Sequence, residues 1–211
     1  MTTVDEKLEH YRIQNKCVEK GQILFAGSSL MEMFPVERLL KEAGYDGIVY
    51  NRGIGGYTCK DLLKTLDVCV LDLEPRRMFI NIGTNDLTNP DLSMDEIMEQ
   101  YDEIICRVKK CLPQIEIYMM AYYPVNYEAA AEEMKPALKI RTNEKILLAN
   151  KRVEKLAEKH HLRYIDVNKN LKDENGRLKA EFTLEGMHIN EDGYRAIVPD
   201  LLPYVRETSW E

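Results

Sequence analysis

Gln22-Ile23-Leu24-Phe25-Ala26-Gly27-Ser28-Ser29-Leu30 leads from four apolar residues through a glycine and two serines into a stretch with helical periodicity, Leu30 to Ala43. An apolar run too short for a helix and closed by glycine suits a strand buried on both faces. Ser29 then falls on a strand-to-helix turn. The same alternation repeats along the chain. Strands are expected at Gly47-Ile48-Val49-Tyr50, Met78-Phe79-Ile80-Asn81-Ile82, Ile115 to Ala121 and Arg163 to Val167. Helices are expected from Val4 to Lys20, Thr58 to Leu71, Ser93 to Leu112, Thr142 to His160 and Glu191 to Tyr204. Two of the starts carry their own signal, Ser93 with Glu96 and Thr58 with Asp61, as capping boxes. This order predicts an α/β chain with a doubly wound parallel sheet of about five strands and helices on both faces.

No repeat, low-complexity tract or Gly/Ser linker divides the 211 residues, so one domain is expected over residues 1–211. A formal net charge of −7 argues against nucleic acid or an anionic membrane as a general partner. The start of the chain, Met1-Thr2-Thr3-Val4-Asp5-Glu6, lacks a basic segment followed by an apolar one, and no stretch approaches the roughly 18 apolar residues of a membrane span. A cytoplasmic protein without stable membrane association is expected. The five cysteines form no CxxC pair and read as reduced thiols; Cys59, three residues after Gly56, reads as a buried one.

In a doubly wound sheet, ligands bind outside the carboxyl ends of the strands. Four short segments belong at that edge: Gly27-Ser28-Ser29-Leu30, Gly53-Ile54-Gly55-Gly56, Gly83-Thr84-Asn85-Asp86 and Glu185-Gly186-Met187-His188. Each has a plain reading and a chemical one. Ser29 suits a helix cap, yet its Oγ also projects at the edge while its N–H opens a helix and can face an anion. The glycines suit a tight turn. Neither G-x-G-x-x-G nor a Gly-Lys-Ser/Thr sequence is present, which leaves an exposed Gly56 N–H as their chemical use. Asn85 suits a turn, or supplies a side-chain NH₂ donor. His10, His160 and His161 read as surface residues. His188 has Glu185 three residues before it, near enough to receive the imidazole Nδ1–H and aim Nε2 at a nucleophile. A serine, which is weak at its free pKa, needs such a base.

Together and in this order, the segments resemble blocks I, II, III and V of the SGNH hydrolases, also called the GDSL esterase/lipase family, over about Ile23 to Tyr194. Asn51-Arg52-Gly53-Ile54-Gly55-Gly56-Tyr57-Thr58 is especially similar to block II of members resembling platelet-activating-factor acetylhydrolase. The resemblance implies a three-layer α/β/α flavodoxin-like fold and ester hydrolysis through an acyl-serine, with no metal or cofactor. It implies Ser29 as nucleophile, His188 as base and Glu185 as its acidic partner, with Ser29, Gly56 and Asn85 supplying the oxyanion donors. Two positions depart from the family pattern. Ser28 stands where block I usually has Asp, and Glu185 where block V usually has Asp, with Asp192 and Asp166 as alternative acids.

The expected partner is a small-molecule ester carrying a short acyl group, acetyl above all, on a carbohydrate or small metabolite. Tyr122-Tyr123-Pro124-Val125-Asn126-Tyr127 reads either as rings that stack on a sugar or line an acyl pocket, or as packing of a long connection. An acyltransferase would use the same site, and a non-catalytic binding module would use the same fold. The N-terminal helix has two uses open to it, packing on the domain or forming a homodimer.

Overall fold

A computed structural model describes residues 3–207. Strands β1 (Ile23–Gly27), β2 (Val49–Asn51), β3 (Arg77–Asn81), β4 (Glu116–Met120) and β5 (Arg163–Ile165) form one parallel sheet in the order β2-β1-β3-β4-β5. The chain steps outward from β1 to β2 and then crosses to β3 on the other side of β1. This reversal opens a crevice at the carboxyl ends of β1 and β3.

The helices are α1 (Val4–Asn15), α2 (Ser29–Glu32), α3 (Val36–Glu42), α4 (Cys59–Lys64), α5 (Leu66–Cys69), α6 (Met94–Cys111), α7 (Lys135–Ile140), α8 (Asn143–His160) and α9 (Glu191–Arg206). Side chains alternate across a strand, so each strand feeds two cores. Leu24, Ala26, Met78, Ile80, Ile117 and Met119 meet α1, α4, α5, α6 and α8 on one face. Ile23, Phe25, Phe79, Tyr118, Met120 and Ile165 meet α2, α3 and α9 on the other. Three layers result, as expected. Among the described residues, no helix is long and apolar enough to cross a membrane.

Several boundaries differ from the sequence reading for local reasons. The pattern from Leu30 to Ala43 breaks in two because Pro35 has no N–H and disfavours a helical Phe34. The pattern from Thr58 to Leu71 breaks at Thr65, whose Oγ1 donates to the Asp61 carbonyl at 3.1 Å. The N-terminal helix ends at Asn15, not Lys20. Asn15 is buried, with Nδ2 donating to the Val68 carbonyl at 2.8 Å and Oδ1 accepting from Arg52 Nη2 at 3.0 Å. This helix packs on the domain through Leu8 and through Tyr11, whose hydroxyl donates to the Gly53 carbonyl at 2.9 Å. At the other end α9 runs past Tyr204, since the fully buried Arg77 donates to the Tyr204 and Val205 carbonyls at 2.8 and 3.1 Å.

Candidate active site

Ser29 opens α2 directly after β1. Neither serine acts as a side-chain cap: Ser28 at the N-cap makes no capping bond, and its buried Oγ lies 3.4 Å from Thr84 Oγ1. A hydroxyl at the position of the family's usual Asp thus joins the loop after β1 to the loop after β3. Ser29 Oγ lies 2.9 Å from His188 Nε2.

His188 is presented by a narrow turn. Thr183 and Ile189 form an antiparallel bridge, and the Thr183 hydroxyl donates to the His188 carbonyl at 2.9 Å while accepting the Gly186 N–H at 2.8 Å. Gly186 has φ +94°, and a Cβ there would sit 2.6 Å from Ala130 Cα. The loop after β4 clamps the turn: Asn126 N–H donates to the Gly186 carbonyl at 2.8 Å and Ala131 N–H to the Glu185 carbonyl at 3.2 Å. Glu185 Oε1 is 2.5 Å from His188 Nδ1, and both carboxylate oxygens are 3.3 Å from the His188 N–H. An ionised carboxylate accepts, so the ring proton belongs on Nδ1 and the Nε2 lone pair faces Ser29.

The alternative acids lie elsewhere. Asp192 is exposed at the start of α9, and Asp166 accepts from the Asn168 N–H at 2.9 Å and from Lys172 Nζ at 3.4 Å. Neither is hydrogen-bonded to His188.

Gly56 and Asn85 occupy the neighbouring turns. Gly56, at φ +81° and exposed, belongs to a turn closed by Tyr57 N–H donating to the Ile54 carbonyl at 3.2 Å. The Gly56 N–H has no acceptor among the described residues. Asn85 Nδ2 donates to the Tyr57 carbonyl at 2.9 Å, which ties the loop after β3 to the turn carrying Gly56 and leaves the second amide hydrogen for another acceptor. The Ser29 N–H, at the first helical position, has no acceptor within α2. The turns after β1, β2 and β3 thus each carry an N–H group, and the turn after β2 lies close to Ser29, since a Cβ at Gly55 would be 3.8 Å from Ser29 Cβ.

Some residues near the site were not anticipated from the sequence. Arg141, 2% exposed, donates from Nη1 to the Thr84 carbonyl at 3.2 Å, and its Nε has no partner. Burial lowers its pKa to about 10, opposed by the Glu185 charge. Nothing in the polar stretch around it distinguishes a buried arginine from a solvated one. Asp86 is buried and accepts the Cys59 N–H with both oxygens, at 3.2 and 3.1 Å; burial raises its carboxyl pKa. Cys59 is buried as expected, and burial together with Asp86 drives its thiol well up. The tyrosines divide: Tyr122 and Tyr123 belong to the core, and Tyr127 is exposed. Packing therefore accounts for the first two. Asp102, Cys106 and His160 form the one group with metal-ligand spacing among the described residues, but Asp102 already bonds Lys159 and His160, and His160 closes α8 at the opposite edge of the sheet.

A family model described as the GDSL-like Lipase/Acylhydrolase family matches residues 33–196, beginning just past Ser29. A structure from Streptococcus pneumonia, provisionally described as a platelet activating factor, is 33% identical with a TM-score of 0.84, over 95% of this chain and 92% of that one. A GDSL esterase/lipase of Oryza sativa is 21% identical over 172 residues, which are 76% of this chain and 66% of that protein. This chain thus spans just under two thirds of the rice relative. An acetylxylan esterase from Geobacillus stearothermophilus shares the fold at 18% identity, with a TM-score of 0.68 over 90% of this chain and 97% of that one.

Proposed function

This chain belongs to the GDSL-like lipase/acylhydrolase family, and from that premise we propose that it is a serine esterase for short acyl esters, acetyl above all, of a carbohydrate or small metabolite. His188 Nε2 takes the Ser29 proton as Oγ attacks the ester carbonyl. Glu185 holds the ring in the tautomer that allows this and stabilises the imidazolium that forms. The N–H groups of Ser29 and Gly56 and the Asn85 side chain hold the tetrahedral oxyanion. His188 then returns the proton to the departing alkoxide, and a water molecule activated in the same way releases the acid and frees Ser29. The same reading has the protein act in the cytoplasm as one domain over residues 1–211.

One observation carries the reading: the unbroken run from Ser29 Oγ through both ring nitrogens of His188 to Glu185, at 2.9 and 2.5 Å. The short-acyl preference draws support from a neighbour of the same fold that is an acetylxylan esterase. Tyr127, next to the Asn126 that clamps the histidine turn, offers an exposed ring against which a sugar can stack. The test is a panel of p-nitrophenyl esters from acetyl to long chain, run on wild type and Ser29→Ala. Turnover should be highest for acetyl and lost in the variant; equal slow rates in both would overturn the proposal.

A further inference from the structure

The turn that carries Gly56 is fixed to the helix that carries Ser29 by one carboxylate. Glu32, the last residue of α2, accepts the Gly55 N–H on Oε2 at 2.6 Å. A Cβ at Gly55 would lie 2.8 Å from that same oxygen, so this position is shaped around the carboxylate. Asn51 adds to the attachment, with Nδ2 donating to the Met31 carbonyl at 2.6 Å and Oδ1 accepting the Gly53 N–H at 2.9 Å. Glu32 is the contact that reaches the residue immediately before Gly56. A charged acceptor makes the stronger bond and holds the turn better. It also sets a negative charge next to donors that must stabilise a developing oxyanion, which opposes the reaction.

The structure contains a counter-charge for it. Lys7 Nζ of α1 pairs with Glu32 Oε1; the two side chains are only 26% and 28% exposed. Lys7 is held in place because α1 starts from a capping box at Thr3 and Glu6 and is anchored further on by Tyr11 and Asn15. We propose that Glu32 is a positioning residue for the Gly56 donor and that Lys7 cancels its charge, so that the N-terminal helix sets the electrostatics of the oxyanion site. The inference rests on the esterase reading above.

Four proteins test it with p-nitrophenyl acetate: wild type, Lys7→Met, Glu32→Gln and the double variant, each with kcat, KM and melting temperature, in low salt and in 1 M NaCl. Lys7→Met should lower kcat about tenfold with KM within about twofold, short of the roughly 10²–10³ lost when an oxyanion donor is removed outright. Salt should return part of that loss by screening the carboxylate left without its lysine. Glu32→Gln keeps an acceptor for Gly55 and should lose only about two- to threefold, since the weakened bond is to Gly55 and reaches the Gly56 donor only through it. The double variant should match Glu32→Gln, because without the carboxylate Lys7 has nothing to cancel. A double variant as slow as Lys7→Met, or a Lys7→Met variant with wild-type kcat, would overturn the inference. Ser29→Ala, run alongside, separates the two claims: if it keeps full turnover the esterase reading itself fails, whatever the other variants do.

Discussion

Replacing Glu185 by Gln removes the charge that holds His188 while leaving the length of the side chain unchanged. In the fold, Glu185 contacts Nδ1 at 2.5 Å and the backbone N–H of His188 at 3.3 Å. Changing a charged hydrogen bond, worth about 1.5–3 kcal/mol, to a neutral one, worth about 0.5–1.5, removes about 1–1.5 kcal/mol or roughly a factor of ten. The amide also has an NH₂ that, facing Nδ1, forces the ring proton onto Nε2 and leaves Ser29 without a base. In serine proteases the equivalent change lowers kcat by about 10⁴. The expected loss here is about 10–10⁴ in kcat, bounded by these two effects. Glu185→Asp is a second probe. One methylene fewer removes about 1.5 Å of reach, so the 2.5 Å contact opens to about 4 Å, outside hydrogen-bond range. The turn cannot follow, because Gly186 is already packed on Ala130. The aspartate usual in the family should therefore work poorly in this chain. The assay is kcat for p-nitrophenyl acetate beside far-UV circular dichroism and the rate of fluorophosphonate labelling at Ser29. A folded Gln variant within fivefold of wild type, or an Asp variant equal to wild type, would mean that Glu185 does not orient His188.

Gly186→Ala should lower unfolding free energy by about 2–5 kcal/mol, combining about 1–2 for a left-handed L-residue with about 1–3 for overpacking against Ala130; urea denaturation measures it, and a change under 1 kcal/mol would contradict the clamped turn. Burial raises the Asp86 pKa above its ordinary 3.8, so its contribution to stability is fullest below that value and is lost as pH rises through the folded pKa. Asp86→Asn should therefore gain stability relative to wild type as pH rises from 3.5 toward neutrality and then level off; a relative loss over that range would be the opposite sign. Cys17, Cys106 and Cys111 are exposed whereas Cys59 and Cys69 are buried with raised thiol pKa values, so a thiol reagent should titrate three cysteines in the native protein and five in denaturant. Rapid native labelling of Cys59 would disagree with its burial.

The sheet was legible because short apolar runs alternate with helical periods, and the five observed strands begin and end within two residues of the expected ones. Helix continuity was less so. Periodicity carries across Pro35 and Thr65, whereas the backbone does not, and the stop at Asn15 depends on partners in α5 and beside β2. At the site, Ser29, His188 and Glu185 were expected to meet and do. Their meeting is a property of the sheet edge: Ser29 and His188 are far apart in sequence and joined by one 2.9 Å contact. Arg141, Glu32 and Lys7 were illegible for a common reason. A charged residue in a polar stretch or on a short helix looks solvated, and only the tertiary arrangement shows that one is buried against Thr84 and that the others share a bond network with Gly55. The tyrosines show the converse, since the sequence cannot tell that Tyr122 donates to the Ile82 carbonyl inside the core while Tyr127 stays outside.

In the proposed reaction Ser29 carries the acyl group. Rapid acid quench of the enzyme during turnover of p-nitrophenyl acetate, followed by peptide mapping by mass spectrometry, reads this directly. One acetyl group is expected, on the peptide containing Ser29, that accumulates in Glu185→Gln if deacylation slows more than acylation and is absent from Ser29→Ala. Acetyl on a cysteine or lysine with none on Ser29, or unlabelled enzyme turning over at full rate, would contradict it.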